Sequence, residues 1–221
     1  MKKSWILYLF GIDLALELFS HLSDYKDLRL FTKPLLLILL FAFVGFQSFR
    51  VQAIKTVLLL ALAFSWAGDM FLLFDTGAGM HFILGLASFL TAHIFFLILF
   101  YMIRKRRQPI PSWNWMVTIL ALGYTVGLLT ILFPSLGALR VPVLLYALIL
   151  SCMFIASAQA FSWQTSAGKW VIIGALLFVA SDSLLALNKF YTPLPYAGFL
   201  IMSTYALAQL GITLGVTKSN S

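Results

Sequence analysis

Residues 81–107 read HFILGLASFLTAHIFFLILFYMIRKRR. No Asp, Glu, Lys or Arg interrupts the stretch before Arg104, and four consecutive bases, Arg104 to Arg107, then end it. A helix needs about 20 apolar residues to cross a hydrocarbon layer of about 30 Å. In lipid the backbone must satisfy its own hydrogen bonds, which leaves helices or a closed barrel. A barrel strand alternates in polarity, whereas this run is continuous and rich in Leu and Phe, so it is a spanning helix. A basic cluster at its end marks a cytoplasmic boundary.

Working outward, the same pattern recurs to both ends of the chain. Apolar runs fall near 4–22, 33–49, 53–74, 81–103, 114–133, 141–161, 169–188 and 195–216. Pro34, Pro142 and Pro195 open their runs, where a missing N–H costs little. The expected fold is an all-α membrane protein, a single integral domain over residues 1–221 with about eight transmembrane helices. Composition agrees: 62% of the 221 residues are hydrophobic and 10% charged, against about 25% charged in soluble domains. The net charge of +8 lies in short loops, which points to topology and anionic lipid headgroups and away from nucleic acid. The start, Met1-Lys2-Lys3, resembles a signal-peptide n-region, but Asp13 and Glu17 break the apolar stretch and no small-residue cleavage site follows, so it reads as a retained first helix. The lone Cys152 allows no internal disulfide.

Ten of the fifteen basic residues, among them Arg50 and Arg104 to Arg107, fall on one side of this topology, and five, including Lys33 and Lys189, on the other. The positive-inside rule then places both termini in the cytoplasm. A weak repeat accompanies this: Gly68-Asp69-Met70-Phe71-Leu72 resembles Ser181-Asp182-Ser183-Leu184-Leu185, and His93 and Tyr205 follow the two Asp residues by 24 and 23 positions. This pattern suits two parallel four-helix halves. Chance likeness between Leu-rich helices is the competing explanation.

Ionisable groups inside a span are costly and mark function by default. Asp69 and Asp182 lie at matching depth near the side away from the basic cluster. Each is either a hydrogen-bonding strut between helices or part of a reactive site. Ser65 shares a face with Asp69. Asp13, Glu17, Ser20, His21 and Asp24 form one stripe on the first helix, either joining the same polar cavity or pairing with a base such as Lys33 or Lys189. Lys189 either snorkels to the interface or binds a lipid phosphate. His93 lies mid-helix between Phe89 and Phe96. Tyr146, Tyr205 and Gln209 are interhelical hydrogen-bonding groups or cavity walls. No HExxH, GxSxG elbow or P-loop is present.

Several motifs occur in a telling order. Thr32-Lys33-Pro34-Leu35 opens the second span. Phe82-x-x-Gly85-x-x-x-Phe89-x-x-x-His93 runs along the fourth, and Pro142-Val143-x-x-Tyr146 opens the sixth. Residues 174–183, GALLFVASDS, precede Asn188-Lys189-Phe190, and Tyr205-x-x-x-Gln209 lies in the eighth. From about residue 30 onward the chain resembles the YhhN-like family of lysoplasmalogenases. It departs at Phe96, where a Tyr is expected in many relatives.

The resemblance implies an integral membrane hydrolase that cleaves the vinyl ether bond of lysoplasmalogens. The products are a fatty aldehyde and glycerophosphocholine or glycerophosphoethanolamine. A vinyl ether is protonated on carbon and the resulting oxocarbenium ion is attacked by water. That chemistry suits one carboxylic acid and one carboxylate, the division of labour of glycosidases; burial and a second carboxylate favour the protonated form. Asp69, Asp182 and His93 are the expected catalytic set. Lys33, Tyr146, Ser181, Asn188, Lys189, Tyr205, Gln209, Asp13 and Glu17 are the expected substrate-binding set. The scheme calls for no metal or cofactor; the partners are a lysophospholipid and the surrounding membrane lipids, and the expected location is a bacterial inner membrane. Two rivals stand: a proton-coupled small transporter or lipid-binding protein, and a metal-dependent lipid hydrolase with His93, Asp69 and Asp182 as ligands.

Overall fold

The computed structural model describes residues 4–23, 25–75, 79–107 and 112–220; Met1, Lys2, Lys3 and Asp24 lie outside them. The helices are α1 (Trp5–Leu22), α2 (Lys26–Gly45), α3 (Gln52–Leu73), α4 (Met80–Lys105), α5 (Trp115–Leu132), α6 (Arg140–Ala160), α7 (Ser166–Phe190) and α8 (Ala197–Asn220), with two short 3-10 turns, Phe133–Ser135 and Gly137–Leu139, between α5 and α6. All eight α-helices are long and apolar enough to cross a membrane. The chain is thus a multi-pass integral membrane protein. The end of the bundle that carries Arg50, Lys55 and Arg104 to Arg107 is its basic end.

Local chemistry sets several helix ends. Asn114 caps α5 by accepting from the Val117 N–H at 3.2 Å, and Thr165 caps α7 by accepting from Gly168 at 3.0 Å; short polar side chains satisfy amides that a helix start leaves bare. The Lys55 ammonium donates to the Gly45 and Gln47 carbonyls at 2.6 and 2.9 Å, a cation at the C-terminal end of α2.

Two helix starts differ from the sequence expectation. α2 begins at Lys26 rather than near 33, so Pro34 sits inside the helix and not in its first turn. Contacts made by the added turns account for this. Arg29 donates to the Ser20 carbonyl at 2.9 Å, Thr32 donates to Glu17, and Asp27 sits in the first turn, where a negative charge is favourable. Pro34 removes one helical hydrogen bond, which these contacts offset. Pro195 lies in the turn before α8. There Tyr196 takes a positive φ of 54° and the Asn188 side chain accepts from the Leu194 N–H at 2.9 Å.

Outer faces carry bare Leu, Ile, Phe and Val, as lipid requires. α5 is the extreme case, with Ile119, Leu120 and Val126 about two-thirds exposed and only Ala121, Thr125 and Leu132 buried. The packing order partly repeats: α1 on α2 as α5 on α6, α2 on α3 as α6 on α7, α3 on α4 as α7 on α8, and, crosswise, α4 on α6 as α2 on α8. The correspondence is incomplete, because α1 also packs on α8, whereas α5 packs chiefly on α6 and α7.

The α7–α8 seam is closely fitted. A Cβ on Gly215 would meet Val171 Cγ2 at 2.5 Å and the Ala167 carbonyl at 2.6 Å. Small residues let membrane helices approach to backbone contact. Gly215→Ala is therefore expected to destabilise the bundle by about 1–3 kcal/mol, the usual cost of overpacking, read as a lower Tm of the purified protein. An unchanged Tm would show that the seam tolerates separation.

Candidate active site

Asp69 and Asp182 line one cavity of about 220 Å³ away from the basic end, together with Lys33, Phe89, Ser181, Lys189 and Tyr205. Asp69 comes from the last turn and a half of α3 and Asp182 from a little over two turns before the end of α7, helices that run in the same direction. Asp69 is 2% exposed, and the side chain of Asp182 is 11% exposed.

Each carboxylate is held by side chains from two other helices. Tyr205 on α8 donates to Asp69 Oδ2 at 2.7 Å, and the Lys33 ammonium on α2 stands 3.8 Å from Oδ1. Tyr146 on α6 donates to Asp182 Oδ2 at 2.6 Å. His93 Nε2 on α4 lies 3.2 Å from that same oxygen and 3.0 Å from the Tyr146 hydroxyl. The arrangement follows the repeat. Each Asp takes one partner from the second helix of its own half and one from the fourth helix of the other half.

Aromatic rings fix these partners in place. The His93 ring lies edge-on to Phe178 at 4.7 Å between centroids, and Phe178 meets Tyr205 edge-on at 5.5 Å. Phe89 lies against Tyr205 at 5.8 Å. A Cβ on Gly68 would strike the Phe89 ring at 2.6 Å, so a glycine next to Asp69 is what lets that ring close the cavity wall. Phe96 is fully buried against Phe178 and has no hydroxyl to offer.

The remaining expected residues divide. Lys189 lies at the mouth, paired with Asp75 at 3.2 Å and over the Phe82 ring at 4.8 Å. Ser181 lines the cavity and donates to the Ile201 carbonyl. His93 and Tyr146 stand behind Asp182 rather than in the cavity wall. Asp13, Glu17, Asn188 and Gln209 are not among the residues that line it. Asn188 holds the α7–α8 turn. Glu17 is fully buried, accepts from Thr32, and its Oε1 lies 3.2 Å from His21 Nε2; of its stripe on α1, His21 lines the cavity. Asp75 was not foreseen; its only sequence signal was an acid just beyond the third span. Among the described residues no three His, Cys, Asp or Glu side chains gather as a metal site would need.

Comparison with known proteins adds a different line of support. The model of the YhhN family matches residues 28–216. The chain is 33% identical over 178 residues to human lysoplasmalogenase TMEM86A, covering 74% of this chain and 66% of that protein. It is 36% identical over 160 residues to human lysoplasmalogenase TMEM86B, covering 72% and 62%. A lysoplasmalogenase of Mycobacterium tuberculosis is 32% identical over 137 residues, covering 61% of this chain and 50% of that protein. The chain thus spans about two thirds or less of the length of these relatives. No solved structure matches it.

Proposed function

The chain belongs to the YhhN family, and from that premise we propose that it is a lysoplasmalogenase, a hydrolase that cleaves the vinyl ether bond of lysoplasmalogens. One observation carries the reading: two carboxylates share one cavity inside the bundle, away from its basic end. The lipid tail lies among the helices. Its phosphate sits near the Lys33 and Lys189 ammonium groups.

One carboxylic acid of the pair protonates the alkenyl carbon next to the ether carbon, giving the oxocarbenium ion. The other, ionised, stabilises the cation and takes a proton from the attacking water. The hemiacetal so formed collapses to a fatty aldehyde and a glycerophospho-alcohol. Tyr205, Tyr146 and His93 orient the carboxylates, and acid–base groups held at hydrogen-bond reach are what such a step needs. This reading is supported by the names of the relatives and by the paired geometry together. A panel of alkenyl, alkyl and acyl lysolipids, assayed with purified protein by mass spectrometry, tests it. Aldehyde from the alkenyl lipids alone is the expected result. No turnover of any alkenyl lysolipid would favour a transporter or lipid-binding protein instead.

The location we infer is a bacterial inner membrane; both termini lie in the cytoplasm, an orientation supported by the ten-to-five division of the basic residues. Reporter fusions after His81 and after Phe190 are expected to give signals from the outer side. A cytoplasmic signal from either would overturn the orientation.

A further inference from the structure

Polar groups continue below the carboxylates toward the basic end. Oδ2 of Asp13 on α1, Oγ of Ser65 on α3, and the hydroxyls of Thr213 and Thr217 on α8 have no hydrogen-bond partner. These four side chains are 4%, 0%, 0% and 6% exposed, and Gln209, fully buried among them, bonds to Tyr205. Gln209, Thr213 and Thr217 follow Tyr205 at four-residue steps, so they form one line on α8. Ser65 is one turn from Asp69 on α3, and Asp13 is one turn from Glu17 on α1. α8 packs on both α1 and α2. The line descends about 18 Å at 1.5 Å per residue from Tyr205 to Thr217. One turn further, Asn220 lines a cavity of about 560 Å³ with Arg50, Arg106 and Ser219 at the basic end.

Helical threonines ordinarily need no outside partner, because the hydroxyl donates to the carbonyl four residues back. Thr56, Thr91, Thr125, Thr130 and Thr204 all do so in this chain. Thr213 and Thr217 do not, although both are buried. A bare polar atom at membrane depth is costly, and buried sites of this kind are satisfied by water held through several such groups. Four such groups on α1, α3 and α8, at successive heights between a cavity at the basic end and Asp69, mark out a route for it.

We propose that Ser65, Gln209, Thr213 and Thr217, flanked by Asp13, line an internal file of water that runs from the basic end to Asp69 and supplies the water of hydrolysis. The supply role rests on the hydrolase reading; the file itself does not. A bound lysolipid fills the opposite mouth with its headgroup and tail, yet each turnover consumes one water. That water forms the new C–O bond at the oxocarbenium carbon and gives one proton to the ionised carboxylate.

Substituted thiols test the file without substrate. Ser65→Cys, a near-isosteric change, and Thr213→Cys and Thr217→Cys are placed singly in sealed proteoliposomes, and silver ion is added at the basic end. Modification is read by peptide mass. Cys152, which is exposed on the outer surface of a spanning helix, is the lipid-facing reference. The new thiols are expected to react at least about tenfold faster than Cys152, since thiol reactivity follows access and thiolate character. Three thiols as inert as Cys152 would overturn the file.

The supply role is tested by Thr213→Val and Thr217→Val. These keep side-chain bulk, and kcat is expected to fall about tenfold with KM unchanged. Thr130→Val, which removes a self-satisfied hydroxyl on exposed α5, should leave kcat unaltered. Reactive thiols with full turnover in both interior variants would overturn the supply role. Absence of turnover by the unaltered protein on any alkenyl lysolipid would instead overturn the hydrolase reading and leave the labelling result standing.

Discussion

Asp69→Asn and Asp182→Asn are each expected to lower vinyl ether turnover by about a thousandfold, within the range by which positioned acid–base groups accelerate reactions. Asn matches Asp in volume, and its amide oxygen still accepts a hydrogen bond, so Tyr205 and Tyr146 keep a partner at positions now 2.7 and 2.6 Å away. What is lost is the acidic proton at one position and the negative charge at the other. A strut tolerates that exchange, because it removes a buried charge and keeps the shape; an acid or a base does not. Expression and Tm should stay close to those of the unaltered protein. His93→Gln and Tyr146→Phe are expected to fall between, at about tenfold, since each loosens Asp182 without removing it. Near-normal turnover in both Asn variants would return the two carboxylates to a structural role and would leave the cavity without its chemistry.

Much of the architecture was legible because lipid imposes a simple rule: continuous apolar length gives a helix, and its ends follow within a few residues. The second helix was the exception. Lys26, Asp27 and Arg29 look like loop residues, and Pro34 looks like a start. Yet Arg29 and Thr32 reach Ser20 and Glu17 across the α1–α2 interface, and no local signal reports a tertiary contact. At the site, Asp69 and Asp182 stood out because charge inside a span is expensive, and depth along each helix suggested that they meet. Their partners were harder. Tyr205, Tyr146 and His93 were visible as polar residues in apolar runs, but not which Asp each would serve, since the exchange between halves is set by how α4 and α8 cross. Asn188 belonged to a turn, and the Asp75–Lys189 pair joins residues 114 positions apart. The Thr213 and Thr217 hydroxyls carried no sequence signal at all, because a helical threonine is usually self-satisfied.

A lysolipid with a saturated ether in place of the alkenyl ether is expected to bind without being cleaved. Protonation on carbon requires the double bond, and without it no oxocarbenium ion forms by that route. The saturated lipid should therefore inhibit competitively, with a Ki near the KM of the alkenyl substrate, because tail and headgroup contacts are the same. Rapid cleavage of the saturated ether would show that the bond is broken by direct displacement. An ester lysolipid should also be a poor substrate, since the sequence offers no nucleophile elbow to form an acyl intermediate. The same step gives an isotopic signature. In heavy water the proton delivered to carbon is deuterium, so the aldehyde carries it at the carbon beside the carbonyl when the reaction is quenched early. Enolisation would introduce the same label slowly, and product aldehyde incubated under matched conditions sets that background. Turnover should slow in heavy water if transfer to carbon limits the rate, and a chelator should leave it unchanged, since the acid in this scheme is a carboxyl group. Unlabelled aldehyde at early times would rule out protonation on carbon. Activity lost to a chelator and restored by zinc would replace this scheme with the metal-dependent hydrolase, its ligands His93, Asp69 and Asp182.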